Sequence, residues 1–313
     1  MSKNDPYDEQ YFKPKGYGQL TLKGMKRVYE TGKMLRDRYG EFLGSYKPQD
    51  VYAFSTNFDR TKMSLQLLLA GLYPPNPETM WNKDIPWIPI PTHYLDNDKN
   101  YLWFEWSGPE FDKHYKPILE SAKITEILNR YNHVLEHAQN NTGKPLVGKG
   151  LIPTIYLTNY LHSVVSMGLP LPDWCSEETF QALQELASLA FKSLSMSNPL
   201  AKMTAGPVAN VLLKNIQNHE SQRDERKIFL YSCHDSTLGR LLGALKISNN
   251  PGFPEFASAV ITETLRDDDG KKYVRMLFWA GVSRNLINLD VPGCNSLCTL
   301  QEYENALKII LPA

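Results

Sequence analysis

The sequence predicts an α/β fold with a smaller, mainly helical cap. Three observations predict it. Val51-Tyr-Ala-Phe54 is a short apolar run of strand type, followed by the polar turn Ser55–Thr61 and a helical pattern through Met63, Leu67, Leu68 and Leu72. Ile228 to Tyr231 repeats the plan: an apolar run stopping at Ser232, then helical spacing at Leu238, Leu241, Leu242 and Leu245. Between the two units, residues 117–220 read as helix after helix. A chain of 313 residues accommodates one large α/β domain, or a main domain with a cap. The division expected is residues 1–75 with 221–313 as the main domain, and 76–220 as the cap, its aromatic-rich loop at 76–117.

In chain order, residues 1–20 are polar and rich in turn formers, with Pro6, Pro14, Gly16 and Gly18. Thr21 caps a helix whose apolar positions Leu22, Met25, Val28, Leu35 and Tyr39 keep helical spacing, with one skip at Gly32. From Pro74 to Pro117 prolines are frequent and Trp81, Trp87, Trp103 and Trp106 cluster. Most of these rings are expected to pin a proline-rich excursion to the core, with one or two, Trp103 and Trp106 foremost, reaching a ligand. A helix over Thr154–Met167 stops at Gly168 with Pro170 beyond. Ser176, followed by Glu177 and Glu178, starts an amphipathic helix carrying Phe180, Leu183, Ala187, Ala190 and Leu194 on one face. Val260–Leu265 and Tyr273–Trp279 bracket the charged turn RDDDGKK (266–272) as an antiparallel hairpin at a sheet edge, and a helix over Leu300–Ile310 closes the chain.

Lys and Arg balance Asp and Glu at 34 each, so no basic footprint points to nucleic acid. The longest apolar stretch, around Leu65–Leu72, is amphipathic and ends at Pro74-Pro75, which excludes a membrane span there. His133 and His137 lie four apart without further ligands nearby, and they read as surface residues; no metal or cofactor is expected. Cys294 and Cys298 share a Pro-Gly loop where a local disulfide is plausible, and Asn140-Asn141-Thr142 is a glycosylation sequon. Together these lean toward an oxidising, secreted setting. The opening Met1-Ser-Lys-Asn-Asp is polar and is no signal peptide, so the expectation is a leader removed or a beginning absent from the sequence.

The candidate site gathers at the ends of the two strands. His234 and Asp235 fall at the C-terminal end of the second strand, on the turn into a helix, the edge at which open α/β sheets bind ligands. Free N–H groups at such a helix start hold anions. Arg60 falls in the first turn of the helix after the first strand, where a cation opposes the macrodipole. An anion explains that placement, and so does a surface ion pair with Asp59.

Several pieces resemble the histidine acid phosphatases of the prostatic and lysosomal type. They are Asp5-Pro6-Tyr7, Gly18-Gln19-Leu20-Thr21, Leu35-Arg36-Asp37-Arg38-Tyr39, Ser55-Thr56-Asn57-Phe58-Asp59-Arg60-Thr61, Gly71-Leu72-Tyr73-Pro74-Pro75, Pro89-Ile90-Pro91, Leu171-Pro172-Asp173-Trp174, Tyr231-Ser232-Cys233-His234-Asp235 and Pro292-Gly293-Cys294 with Cys298. The resemblance implies a histidine-phosphatase-like main domain, with a central mixed sheet flanked by helices, and a two-step phosphoryl transfer. In that scheme Arg60 and His234 hold phosphate oxygens and Asp235 protonates the leaving group.

Departures accompany it. The family's Arg-His-Gly-x-Arg motif, which supplies the nucleophilic histidine and two arginines, occurs nowhere in the 313 residues, and Asn57 replaces the usual Asp. The pattern is similar to the acid-phosphatase-like salivary proteins of blood-feeding insects such as fleas, which sequester biogenic amines and leukotrienes. The preferred expectation is therefore a catalytically impaired small-molecule binder, with Asp235 for an ammonium, Arg60 and His234 for an anion, and Trp103 and Trp106 as stacking rings. The alternative is an acid phosphatase acting on phosphomonoesters through a phosphohistidine, seen as an N-terminally truncated chain. The family is commonly dimeric, so a homodimer is kept among the partners. A cytosolic phosphoglycerate mutase-like enzyme is a weaker third reading, since it fits neither the Cys294/Cys298 loop nor the Trp-rich excursion.

Overall fold

The computed structural model describes residues 7, 12–13, 16–294 and 297–312; Asp5, Pro6 and Pro14 of the sequence reading lie outside them. The Thr21 hydroxyl accepts from the Gly24 N–H and starts α1 (Leu22–Leu43), as its sequence position predicts. Next come β1 (Val51–Ser55), α2 (Asp59–Leu72) and the two-residue β2 (His93–Tyr94). Six helices follow: α3 (Pro109–Leu119), α4 (Ala122–Arg130), α5 (Asn132–Thr142), α6 (Ile152–Met167), α7 (Glu177–Ser193) and α8 (Asn198–Thr204). The chain then runs through α9 (Gly206–Glu220), β3 (Ile228–Ser232), α10 (Asp235–Ala244), β4 (Ala259–Arg266), β5 (Lys272–Trp279), β6 (Leu286–Asn288), β7 (Cys298–Thr299) and α11 (Leu300–Lys308). α6 ends at Gly168 in the left-handed region (φ 82°), and Ser176 caps α7 through the Thr179 N–H, both as the residue types require.

The strands form two sheets. β1 is central in a parallel sheet of order β2-β1-β3, with Val51 opposite Ile228 and Ser55 opposite Ser232. β4 and β5 form the expected antiparallel hairpin, Ala259 opposite Trp279 and Arg266 opposite Lys272, extended by β6 and β7 on the other side of β5. Three apolar clusters hold these layers. One is mainly helical, built from α3 to α8 around Phe111, Ile124, Leu161, Leu183 and Phe191, with Leu146 and Cys175 from the connecting loops. A second packs α9, α10 and α11 on β5 through Leu213, Leu242, Phe278 and Tyr303. The third locks α1 and α2 onto β1 through Leu35, Leu65, Leu69 and Ala53. Residues 206–220, grouped with the cap from sequence, thus bury their apolar face beside the strands.

The skip at Gly32 is a contact point. α1 and α2 cross so closely that a Cβ on Gly32 would stand 2.1 Å from the Leu68 carbonyl oxygen, and one on Gly71 2.3 Å from that of Tyr29. Only hydrogen fits at either place.

β3 and β4, each an edge strand of its sheet, face one another across a cavity of about 1300 Å³. Residues 228–232 of β3 and 259–265 of β4 line it, roofed by Leu35 and Tyr39 of α1 on one side and by Val208 and Leu212 of α9 on the other. The strands run in opposite directions. The Lys227 Nζ, at the start of β3, donates to the carbonyl of Phe42 near the end of α1. β4 instead follows α1, with Ala257 bonded to Thr31 and Glu263 to Arg38.

Candidate active site

Arg60, His234 and Asp235 converge where β1 and β3 end, and all three line the cavity. Local sequence explains the arrangement. Phe58 and His234 are the extended residues that precede α2 and α10, so Arg60 and Asp235 enter the first turns of two neighbouring helices. The parallel pairing of β1 with β3 in register sets those turns side by side. Asp235 also caps itself, its carboxylate accepting from the Ser236 N–H at 2.7 Å.

The Phe58 ring links the two basic groups. It lies 4.8 Å from the Arg60 guanidinium carbon and 5.0 Å from the His234 ring, which it meets at 88°. Trp103 packs beside it, 5.0 Å from the imidazole centroid and 4.9 Å from the Phe58 ring. Thr56 Oγ1 sits 3.0 Å from His234 Nε2. The Thr56 hydroxyl proton goes to Thr61 Oγ1, and Thr61 donates in turn to backbone carbonyls. That chain of donors leaves Thr56 Oγ1 as an acceptor, which assigns the proton of the neutral ring to Nε2.

The charge states follow from burial. Desolvation, with Arg60 and Arg240 as like charges nearby, pushes His234 down to about 3, so the imidazole is neutral through the mildly acidic range. Burial raises Asp235 above the ordinary carboxylate range, opposed by an Asn159 hydrogen bond, the Ser236 N–H and the charge of Arg60. Desolvation lowers Arg60, and Asp235 partly restores it. Among the described residues no carboxylate lies within ion-pair distance of Arg60; Asp59 pairs with Lys62 instead. Chemically the site is a cation and a neutral imidazole beside a carboxyl group biased toward holding its proton.

Residues 2–279 match the histidine phosphatase superfamily (branch 2). The chain belongs to this family. As a branch 2 histidine phosphatase it is 34% identical to venom acid phosphatase Acph-1 of Apis mellifera over 317 residues, covering 100% of this chain and 81% of that protein. It is 32% identical to the lysosomal acid phosphatase of Homo sapiens over 314 residues, covering 98% of this chain and 73% of that protein. In fold it is similar to the Hafnia alvei phytase bound to myo-inositol hexakis sulphate, with TM-score 0.73 at 16% identity, over 95% of this chain and 88% of that one. The relatives thus include venom and lysosomal acid phosphatases.

The structure distributes the other sequence-predicted residues more widely. Trp103 joins the site, whereas Trp106 packs against Tyr156 and Phe191 in the helical core, its indole N–H without a hydrogen-bond partner among the described residues. Cys294 and Cys298 form a disulfide, and Cys175 and Cys233 are free. Burial raises Cys233 to about 11, which leaves that cavity-lining thiol protonated. Asn140 is exposed on α5, while Thr142 of its sequon is buried and bonds the Ala138 carbonyl. Among the described residues no histidine, cysteine or carboxylate cluster has metal-binding form, and no helix is long and apolar enough to cross a membrane. Sequence reasoning passed over Asn159, which reaches Asp235 from the middle of α6, and it passed over Thr56, Phe58 and Arg240. Thr56 and Phe58 lay within the quoted turn and only needed a role. For Asn159 no local signal existed, since tertiary packing alone brings α6 there.

Proposed function

We propose that this chain carries the phosphate-holding and proton-donating part of an acid-phosphatase site for phosphomonoesters. One observation carries the reading: Arg60, His234 and Asp235 meet at the end of β3, lining a slot between two strand edges that have no strand partner among the described residues. In this reading Arg60 and His234 take the phosphoryl oxygens, because charge-assisted and N–H bonds to a dianion are strong where water is scarce. A bound dianion favours the imidazolium, so His234 gains a proton as phosphate arrives. Asp235, whose burial favours its protonated form, gives its proton to the leaving oxygen. The Arg-His-Gly-x-Arg motif that carries the attacking imidazole in the family scheme does not occur in these 313 residues. A strand in the slot, parallel to β3, would end beside Arg60, the place at which the family motif carries its histidine.

A second reading, the binding of biogenic amines or leukotrienes, draws on the cavity's size. About 1300 Å³ is far more than a phosphate needs, and Leu35, Leu65, Val208 and Leu212 give it apolar walls. An amine would need ionised Asp235, which burial opposes. A lipid carboxylate would rely on Arg60 with tail contacts along the strands. This reading therefore ranks second.

Turnover of an aryl phosphate at acid pH separates the two. The 313-residue chain is expected to bind inorganic phosphate without turning substrate over. The same chain, extended at its N-terminus by a designed strand that carries Arg-His-Gly-x-Arg, is expected to show many turnovers. Sub-micromolar calorimetric binding of serotonin, histamine, a catecholamine or a cysteinyl leukotriene, with no turnover by the extended chain, would establish the second reading instead. Arg60→Met should weaken inorganic phosphate by about tenfold to a hundredfold, the worth of one hydrogen bond to a charged group.

A further inference from the structure

Arg240 is the largest fully buried side chain of the fold, 1% exposed, and it has no carboxylate partner among the described residues. Its guanidinium donates to the carbonyl of Leu102 and lies 5.8 Å from the Phe104 ring, while its Nε has no hydrogen-bond partner among the described residues. Burying a guanidinium this way is costly compared with an apolar side chain of similar volume. Packing alone gives no reason for it.

The atom it holds suggests one. The same Leu102 carbonyl also accepts from the buried Thr237 hydroxyl at 3.0 Å. His234, Thr237 and Arg240 follow one another at three-residue steps from the start of α10, which places the last two along one side of the helix that His234 begins. Two residues earlier in the held segment, the Asn100 side chain donates to the Ser55 carbonyl at the end of β1. The stretch 100–102 is thus stapled at one end to β1 and at the other to α10. The next residue, Trp103, stands against the His234 ring and against Phe58.

We propose that Arg240 is a positioning residue: by clamping the Leu102 carbonyl it holds Trp103 against His234 and fixes the imidazole's orientation at the mouth of the cavity. The consequence for phosphate binding rests on the role given to His234 above, but the clamp itself does not. A neutral side chain of equal length would fill the volume and lose the grip, and Thr237 alone would share the carbonyl with nothing.

The test is read at the imidazole. In ¹H–¹³C spectra of the 313-residue chain, the His234 Cε1–H resonance senses the ring currents of Trp103 and Phe58. Arg240→Met is expected to move it in the same direction as Trp103→Leu, and Arg240→Lys to leave it closer to the starting position. Inorganic phosphate affinity should fall by about three- to tenfold in Arg240→Met, with the double variant no weaker than the Trp103→Leu single, since the two residues act in series. A folded Arg240→Met protein with an unmoved His234 resonance would overturn the clamp, as would effects that add in full. If Arg240→Met does not fold, Thr237→Val is read in the same way, and an unchanged resonance there counts against the proposal. The resonance is measurable whether or not the chain binds phosphate, so failure of the phosphatase reading and failure of the clamp are separate results.

Discussion

At the scale of single residues, the site's groups tie stability to pH. Burial and two arginines hold His234 at about 3 in the folded chain, against an ordinary value near 6.5. Between those values the unfolded chain binds more protons than the native one, so stability falls as pH drops through that window. The loss from this residue approaches about 1.4 kcal/mol per pH unit while the ring is protonated only in the unfolded state. His162 is also lowered by burial, so it adds in the same direction. Asp235 works the other way: its raised value makes its contribution complete at low pH and lost as pH rises through the folded value. His234→Asn should therefore flatten, without abolishing, the decline in unfolding free energy between pH 6.5 and pH 3. Urea titrations across that range measure it, and an unchanged slope would mean that His234 is not held neutral. The carboxyl and imidazole were visible from sequence because they adjoin in the chain at a strand end. Of their environment only Trp103 was expected at a ligand; Thr56, Asn159 and Arg240 were not, since they come from three separate segments.

At the scale of elements, most of the fold was legible because local chemistry and tertiary packing agree. Thr21, Gly168 and Ser176 mark helix ends in the sequence and do so in the structure. The β4–β5 hairpin shows in two strand-type runs bracketing the charged turn around Gly270, whose φ of 80° the turn requires. Gly32 is the instructive exception. A glycine within an apolar helical pattern looks like an interruption, yet it is where α1 meets α2, and α2 carries Arg60. No periodicity count can distinguish a gap from a contact, because the distinction lies in the other helix. Gly32→Ala would force a methyl to within 2.1 Å of a backbone oxygen that has no rotamer to yield. The expected cost is about 1–3 kcal/mol of overpacking. The denaturant midpoint should shift accordingly, and it would stay put if the helices can slide apart freely.

At the scale of the whole molecule, the unusual feature is a pair of sheet edges turned inward. Exposed edges normally face solvent, where water completes their hydrogen bonds, or are covered and blunted. Here β3 and β4 present theirs to a cavity with apolar walls supplied by α1, α2, α9 and α10, where unpaired N–H and C=O groups are costly. A strand laid between them would pair with both edges where it comes within the usual sheet spacing of about 4.8 Å of each. Since β3 and β4 run oppositely, that strand would be parallel to the first and antiparallel to the second. It would merge the two sheets into the single central mixed sheet that the sequence reading expected. Five residues of β3 and seven of β4 line the slot, which sets its length, and helices on both faces call for apolar side chains on both. Without such a strand, the slot-facing amides of β3 and β4 should exchange with deuterium much faster than the β4 amides paired with β5. Extending the chain at its N-terminus with a designed apolar strand that carries Arg-His-Gly-x-Arg should slow that exchange and raise the unfolding midpoint together. Slot-facing amides already as protected as those between β4 and β5 would mean that the edges are satisfied within these residues, and the phosphatase reading would then lose its route to a nucleophile.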